Sequence, residues 1–453
     1  MKQLLFVISF TSLLFFASCS DDSPSEVALQ PDPVVNPEPE ATHRVGPSHP
    51  IKKLQDVASQ LKPGDVVEVE GNTEYVGGIV FAVNGTTEKP IIIRGKSVNG
   101  KRPVIRQGPN TRIIEMNGAN TVLGGFEIVG NPDETTRAGV GVYANNIVIR
   151  NCIIHDCRNG ILGYGNLTGN VLVEYCEIYH CGGEPKPGFD FAHQIYMATD
   201  EVAHPNAVFR LQHSYIHSGK GGNNVKTRSG RNEIYYNWIE GARYHALELI
   251  GPDLDDNDNM AEDTKREDSD VVGNVVIASS NGSGIRLGGD GTGQTKGRYR
   301  VVNNTFILLN NSDGLRGNDA IETVELYNNI FHKGSAQQAD VFSEADVDWV
   351  GGVRRVKGSN NYIPAGLSKV PAGLTGSATA ANPGFLNESQ FNYGLTEASA
   401  LRNAGTLNVI SFSESPFEKP LFPPAFFPPQ KKHQSTGEAI SRPVGTTINI
   451  GAW

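Results

Sequence analysis

Residues 301–331 read VVNNTFILLNNSDGLRGNDAIETVELYNNIF, and within them the phrase Asn304-Thr305-Phe306 returns as Asn329-Ile330-Phe331. The same phrase, a small or amide residue, any residue, then an apolar β-former, recurs on both sides. It appears as Cys152-Ile153-Ile154, Cys176-Glu177-Ile178, His213-Ser214-Tyr215, Asn237-Trp238-Ile239, Asn274-Val275-Val276 and Asn361-Tyr362-Ile363. First members lie 24, 37, 24, 37, 30, 25 and 32 residues apart. A unit near 24 with insertions of varied length is a solenoid coil whose loops differ, each coil burying its apolar face against its neighbours. The expected fold is all-β, a right-handed parallel β-helix with its core over 116–365. Asparagine at one position of successive coils predicts an internal amide ladder that satisfies buried polar groups.

Outside that core, Ile51-Lys52-Lys53-Leu54-Gln55-Asp56-Val57-Ala58 has the apolar spacing of one short helix. Residues 49–115 are read as a cap and the first coils, because an uncovered end strand invites aggregation. Residues 366–453, which include the Pro-rich stretch 416–429, are read as extended chain packed along the solenoid.

Cys152 and Cys176 are one coil apart, and so are Cys157 and Cys181. Stacked strands sit about 4.8 Å apart, within the Cα range of a disulfide, so Cys157–Cys181 is the expected bridge in an exported chain. The four-residue spacing within each pair argues against a zinc knuckle.

The next strand of each coil carries inward apolar residues at Ile161, Ile195, Val225, Leu247, Ile285 and Leu315. Side chains alternate between the faces of a strand, so Leu162, Tyr196, Lys226, Glu248, Arg286 and Arg316 form one outward column. Arg228 accompanies Lys226, and His193 and His245 precede Tyr196 and Glu248 by three residues. Insertions over 182–191 and 252–268 flank this column, as loops flank a binding cleft on a solenoid.

Four cations in line on a chain of net charge −10 suit an anionic polymer. The net charge and the lack of a basic run exclude a nucleic-acid surface. Acidic polysaccharide is the expected partner. β-Elimination of a polyuronate needs a cation for the carboxylate, a base for the C5 proton and an acid for the departing O4. Lys226 or Arg228 is the candidate base, and Tyr196, His193, Tyr244 or His245 the candidate acid. Arg286 and Arg316, with Glu248, are the candidate substrate contacts. A non-catalytic glycan-binding solenoid, or an epimerase or hydrolase on this scaffold, are the alternatives. Hydrolysis needs two facing carboxylates, and the column offers Glu248 alone.

The layout resembles that of the right-handed β-helix polysaccharide lyases, including the alginate lyase and chondroitinase B family. The local match is Val225-Lys226-Thr227-Arg228-Ser229 running to Tyr236-Asn237. The resemblance implies a catalytic lysine at Lys226, or at Arg228 under a two-residue shift. Two positions depart from the family: Glu248 stands where it has arginine, and Gly221, Gly222, Asn223 and Asn224 replace its acidic calcium ligands. Calcium stays open as a cofactor. The acidic stretch Asp253, Asp255, Asp256, Asp258, Glu262 and Asp263 is another place for it, although Asp258 breaks the EF-hand pattern.

At the N-terminus, Lys2, an apolar run from Leu4 to Phe16, and Ala17-Ser18-Cys19 read as a secretion signal too short for a membrane span. The stretch resembles a bacterial lipobox, which implies acylation of Cys19 and an outer-membrane lipoprotein at the cell surface or in the periplasm; the chain is expected to be a monomer. Residues 20–48, rich in Pro, Glu, Asp and Ser, are expected to be a disordered tether.

Overall fold

Most coils are built of three short strands separated by turns, and the strands of the solenoid pair in parallel with their counterparts one coil on. One coil runs through Arg231–Tyr235, Trp238–Glu240 and Leu247–Leu249. The next runs through Asp268–Val272, Val275–Ala278 and Ser283–Gly288, in register with the first at Arg231↔Asp268, Trp238↔Val275 and Leu247↔Ile285. The computed structural model describes residues 39–131, 136–185, 191–252, 267–278, 282–290 and 296–453. Cys19 and the acidic stretch 253–263 lie outside the described residues. The three stacked strand sets make a first, second and third face in chain order, and the whole is a right-handed parallel β-helix.

Alternation builds the core. Ile161, Ile195, Val225, Leu247, Ile285 and Leu315 are all fully buried inside the third face, and each such burial contributes about 1.5–3 kcal/mol. The turn from first to second face needs a left-handed residue in every coil. Asn303, Asn328 and Asn360 adopt φ of 55°, 56° and 54° there, with Gly273 at 70°. Asparagine and glycine tolerate that region best.

The amide ladder follows immediately. Nδ2 of Asn237, Asn274, Asn304 and Asn329 donates to Oδ1 of the ladder residue one coil on, at 3.0, 2.9, 3.1 and 3.0 Å. The same oxygens accept the backbone N–H of the preceding asparagine. In one coil the sequence register is off by a residue. Ser214, not His213, continues the ladder: the Cys176 N–H donates to Ser214 Oγ at 3.1 Å and the Ser214 N–H donates to Asn237 Oδ1 at 3.0 Å. His213 instead takes the left-handed turn position, φ 52°, and its ring stacks between Tyr175 and Tyr236 at 4.8 and 5.3 Å.

The cysteines stack as expected, but the Cys157–Cys181 disulfide does not form. All four thiols are free and buried. In-register parallel neighbours hold their Cβ atoms near the strand spacing of about 4.8 Å, whereas a disulfide draws them to about 3.5–4.5 Å. The thiols donate instead to carbonyls, Cys157 Sγ to His155 O at 3.4 Å and Cys176 Sγ to Glu174 O at 3.3 Å.

At the N-terminal end Leu54, Val57 and Leu61 join the core around the helix Gln55–Ala58. Ordered pairing begins earlier than the boundary at residue 48, since His43–Val45 pairs with Val67–Val69 and Val45 is fully buried. The C-terminal chain runs back over the solenoid, with contacts from Asn360 to Ala404 O, Glu325 to Ser411, Arg300 to Leu421 O and Tyr236 to the Ala425 N–H. His433 Nε2 then donates to Tyr175 O.

Candidate functional site

The third face carries the outward column in one register: Leu162↔Tyr196, Tyr196↔Lys226, Lys226↔Glu248, Glu248↔Arg286 and Arg286↔Arg316. At a rise of about 4.8 Å per coil, opposite charges at adjacent positions must meet. Arg286 Nη1 lies 2.6 Å from Glu248 Oε1, and Lys226 Nζ lies 3.6 Å from Glu248 Oε2. Asn223 Nδ2 also donates to Glu248 Oε2. Burial alone would raise the Glu248 carboxyl, but Lys226 and Arg286 outweigh it and hold it below the usual carboxylate range.

Arg228 points the same way as Lys226 from two residues on. Its Nε donates to the Tyr196 hydroxyl oxygen at 3.1 Å, and Lys226 Nζ stands 5.6 Å from the Tyr196 ring centre. A residue that the sequence reading missed completes the cluster. Asp290, on the loop after Ser283–Gly288, pairs with Lys226 Nζ at 3.4 Å and with Arg228 Nη2. Arg286 Nη2 holds the preceding carbonyl, Gly289 O, at 2.8 Å. Lys226 therefore faces two carboxylates, Glu248 and Asp290. Asp290 thus brings a second carboxylate beside the column, but both are gripped by cations, the opposite of what a general acid for hydrolysis requires.

His193 and His245 do occupy equivalent positions, in a second polar column along the strand starts. There each side chain accepts the backbone N–H of its counterpart one coil on. Asn159 Oδ1 accepts from His193, His193 Nδ1 from Asn223, Asn223 Oδ1 from His245, and His245 Nδ1 from Ser283, at 3.0, 2.9, 2.9 and 3.0 Å. An accepting Nδ1 leaves the proton on Nε2 in the neutral ring. Burial, assisted by Lys226 and Arg228, pushes His193 down to about 3. Burial, assisted by Arg286, Arg316 and Lys226, pushes His245 down to about 4. Burial and the neighbouring cations thus favour the neutral form of both rings. Their work is to cap strands.

Tyr244 leaves the cluster as well. Its hydroxyl donates to Glu184 Oε2 at 2.9 Å, which raises it further, and its ring meets Phe191 edge-on at 5.6 Å. Arg316 differs from its neighbours in another way: among the described residues its side chain makes no ion pair or hydrogen bond. It ends the charged run as an uncommitted guanidinium.

Calcium does not fit the described residues. No group of three or more His, Cys, Asp or Glu side chains among them could hold a metal ion, and Glu248 and Asp290 already face Lys226, Arg228 and Arg286.

No family model matches the chain, and no curated protein matches it. Among solved structures it is similar to pectate lyase Pel9A at 13% identity, covering 91% of this chain and 96% of that one, with a TM-score of 0.47. It is similar to an alginate lyase from Paenibacillus sp. str. FPU-7 at 13% identity, 68% and 100% coverage and a TM-score of 0.43. A rhamnogalacturonan lyase is matched at 14% identity, 80% and 96% coverage and a TM-score of 0.44. The chemistry of the column rests on its own geometry.

Proposed function

We propose that the third face is the cleft of a polysaccharide lyase that cleaves a uronate-containing acidic polymer by β-elimination. One observation carries this reading: in a column where Lys226, Arg228 and Arg286 are all ion-paired, Arg316 alone has no partner among the described residues, which suits it to receive a carboxylate from outside. Arg286, one coil before it, adds a second guanidinium to the same group. Neutralising the uronate carboxylate makes the neighbouring C5 proton more acidic and stabilises the enolate that its removal creates.

In this reading Tyr196 is the base and Lys226 the acid, the opposite of the expectation from sequence. Lys226 is an ammonium facing Glu248 and Asp290, arranged to donate. The Tyr196 oxygen receives a hydrogen bond from Arg228, so it carries a stabilised charge when its own proton is lost. Tyr196 then takes the proton from C5, the C–H electrons form the C4=C5 bond, and the C4–O4 bond breaks with its pair on O4. Lys226 supplies the proton to O4, and solvent restores both groups. Tyr196 and Lys226 rise from one sheet face and meet the sugar from one side. That favours substrates whose H5 and O4 leave on the same side of the ring, as in gluco- and manno-configured uronates. With Cys19 acylated, this chemistry would be held at the outer membrane, at the cell surface or in the periplasm.

The test is a panel of acidic polysaccharides, polymannuronate and polygalacturonate among them, followed by absorbance of the unsaturated product. Tyr196→Phe should lower turnover by about 10²–10⁴-fold with melting unchanged. Retardation of a polymer without unsaturated product would establish a binding module instead, and new reducing ends without unsaturation a hydrolase.

A further inference from the structure

Beneath the third face, inside the solenoid, lies a second polar cluster that the reaction does not use. Glu267 is fully buried. Its Oε2 accepts from the Tyr299 hydroxyl at 2.8 Å, and its Oε1 accepts from Asn232 Nδ2 at 3.0 Å and from the Ser269 hydroxyl. Tyr299 is also fully buried, and its hydroxyl oxygen accepts the Gly288 N–H at 3.0 Å and stands 3.4 Å from Leu249 O. Asn232 Oδ1 accepts from the Thr227 hydroxyl. Each link ends beside a residue of the outer cluster: Thr227 lies between Lys226 and Arg228, Leu249 follows Glu248, and Gly288 stands midway between Arg286 and Asp290.

We propose that Glu267, acting through Tyr299 and Asn232, is a positioning residue that holds the coils of Lys226, Glu248 and Arg286 in place and fixes the turn that delivers Asp290. The proposal rests on reading the third face as the cleft. The turn is demanding. Gly288 has φ of 88°, and a Cβ there would lie 1.8 Å from Asn318 O, so no other residue fits without displacing backbone. The turn is pinned from below by Tyr299 at the Gly288 N–H and from above by Arg286 at Gly289 O. Asp290, one residue further, can then face both Lys226 and Arg228.

Glu267 meets Tyr299, Asn232 and Ser269 directly, with Asp268, itself paired with Arg298, beside it, and Asn232 also meets the Ser229 carbonyl and the Thr227 hydroxyl. Burial, opposed by the Ser269 and Tyr299 hydrogen bonds, pushes its carboxyl up to about 8. Below that pH Glu267 donates to the Tyr299 oxygen and the tyrosine proton turns toward Leu249 O. Above it, Tyr299 must donate to the carboxylate. In both states Gly288 keeps its acceptor, but the link to Leu249 is present only in the first.

The experiment compares amide hydrogen exchange over 286–290 in the full-length wild type, Glu267→Gln and Tyr299→Phe, with melting temperature against pH alongside. Tyr299→Phe should speed exchange of the Gly288 amide about tenfold or more, since one backbone hydrogen bond loses its acceptor. It should also raise KM for the cleaved polymer more than it lowers kcat. The folded protein binds a proton at Glu267 that the unfolded chain releases near pH 4.5. Wild-type stability should therefore fall relative to Glu267→Gln from about pH 5 to about pH 9. Unchanged Gly288 exchange in Tyr299→Phe, or a wild type that tracks Glu267→Gln across that range, would overturn the proposal. A wild type that neither cleaves nor binds any acidic polymer would sink the cleft reading alone, because the exchange and melting results decide Glu267 without it.

Discussion

Arg286 grips Glu248 at 2.6 Å from one coil while Lys226 faces the same carboxylate at 3.6 Å from the coil on the other side. The carboxylate is the only negative charge within the column run from Lys226 to Arg316, and it is almost wholly buried. Glu248→Gln keeps the volume and removes the charge, which leaves two cations facing each other across a neutral amide. Removing one partner of a buried pair costs about 3–5 kcal/mol, so the variant should unfold at clearly lower denaturant. A change within about 0.5 kcal/mol would mean that the cluster is solvated rather than buried.

Arg316 should behave in the opposite manner. With no partner among the described residues to strand, Arg316→Ala should alter stability by no more than about 0.5 kcal/mol. If it receives a uronate carboxylate, the lost charge-assisted hydrogen bonds are worth about 1.5–3 kcal/mol, roughly ten- to a hundredfold in affinity for the polymer. Equilibrium binding of wild type and variant to the same oligosaccharide checks both halves, and unchanged affinity would remove Arg316 from the site.

Acid should weaken the strand-start column. His193 and His245 titrate at about 3 and about 4 in the folded chain but near the ordinary 6.5 when unfolded. Between these values the unfolded state binds more protons, so the stability they contribute is complete above about pH 6.5 and drains away as the pH falls toward about 4. Glu248, held below its usual range, adds to the loss only once the pH falls below about 4.5. Asparagine already performs the same cap at 159 and 223. His193→Asn should therefore keep the fold and flatten the loss of melting temperature between about pH 6.5 and about pH 4. An acid limb identical to wild type would show that His193 does not carry it.

The ladder predicts a large cost for one amide. Asn304 Oδ1 accepts from both the backbone N–H and Nδ2 of Asn274, and its Nδ2 donates to Val271 O, Val302 O and Asn329 Oδ1. Asn304→Ala orphans several buried groups at about 1–3 kcal/mol each, so a loss of at least about 3 kcal/mol should appear in denaturant unfolding. A loss below about 1 kcal/mol would imply that water replaces the amide.

What could be read from residues alone follows from what is periodic. Ile195, Val225, Leu247 and Ile285 recur because each coil must bury one side chain there, and the outward column then follows by alternation. Ser214 was misread because serine does not announce itself in a run of asparagines, and because the aromatic turn position shared with Tyr175 and Tyr236 is visible only as stacked rings. Asp290 had no signal at all. It sits beyond the strand on a loop after two glycines, where no register applies, and only the fold of that turn carries it back over Lys226. Asn223 did have one: it lies three residues before Lys226, as His193 and His245 do before their own column members. The disulfide was a sound reading of distance that neglected direction, since stacked side chains run parallel instead of converging.

The returning C-terminal chain changes how such a molecule can come apart. Coils that touch only their neighbours can peel away one at a time from either end. Here Arg300 and Asp270 form a buried pair that is closed over by Leu421, whose carbonyl and amide bond one partner each. Ala425 is fixed to Tyr236 one coil earlier and Ser411 to Glu325 one coil later. Loosening any of these coils must first lift a strand of chain that others also hold, so separate local openings become one shared event. During synthesis the order is reversed: the coils are made before the segment that locks them, and full cooperativity arrives only once residues 404–433 have followed.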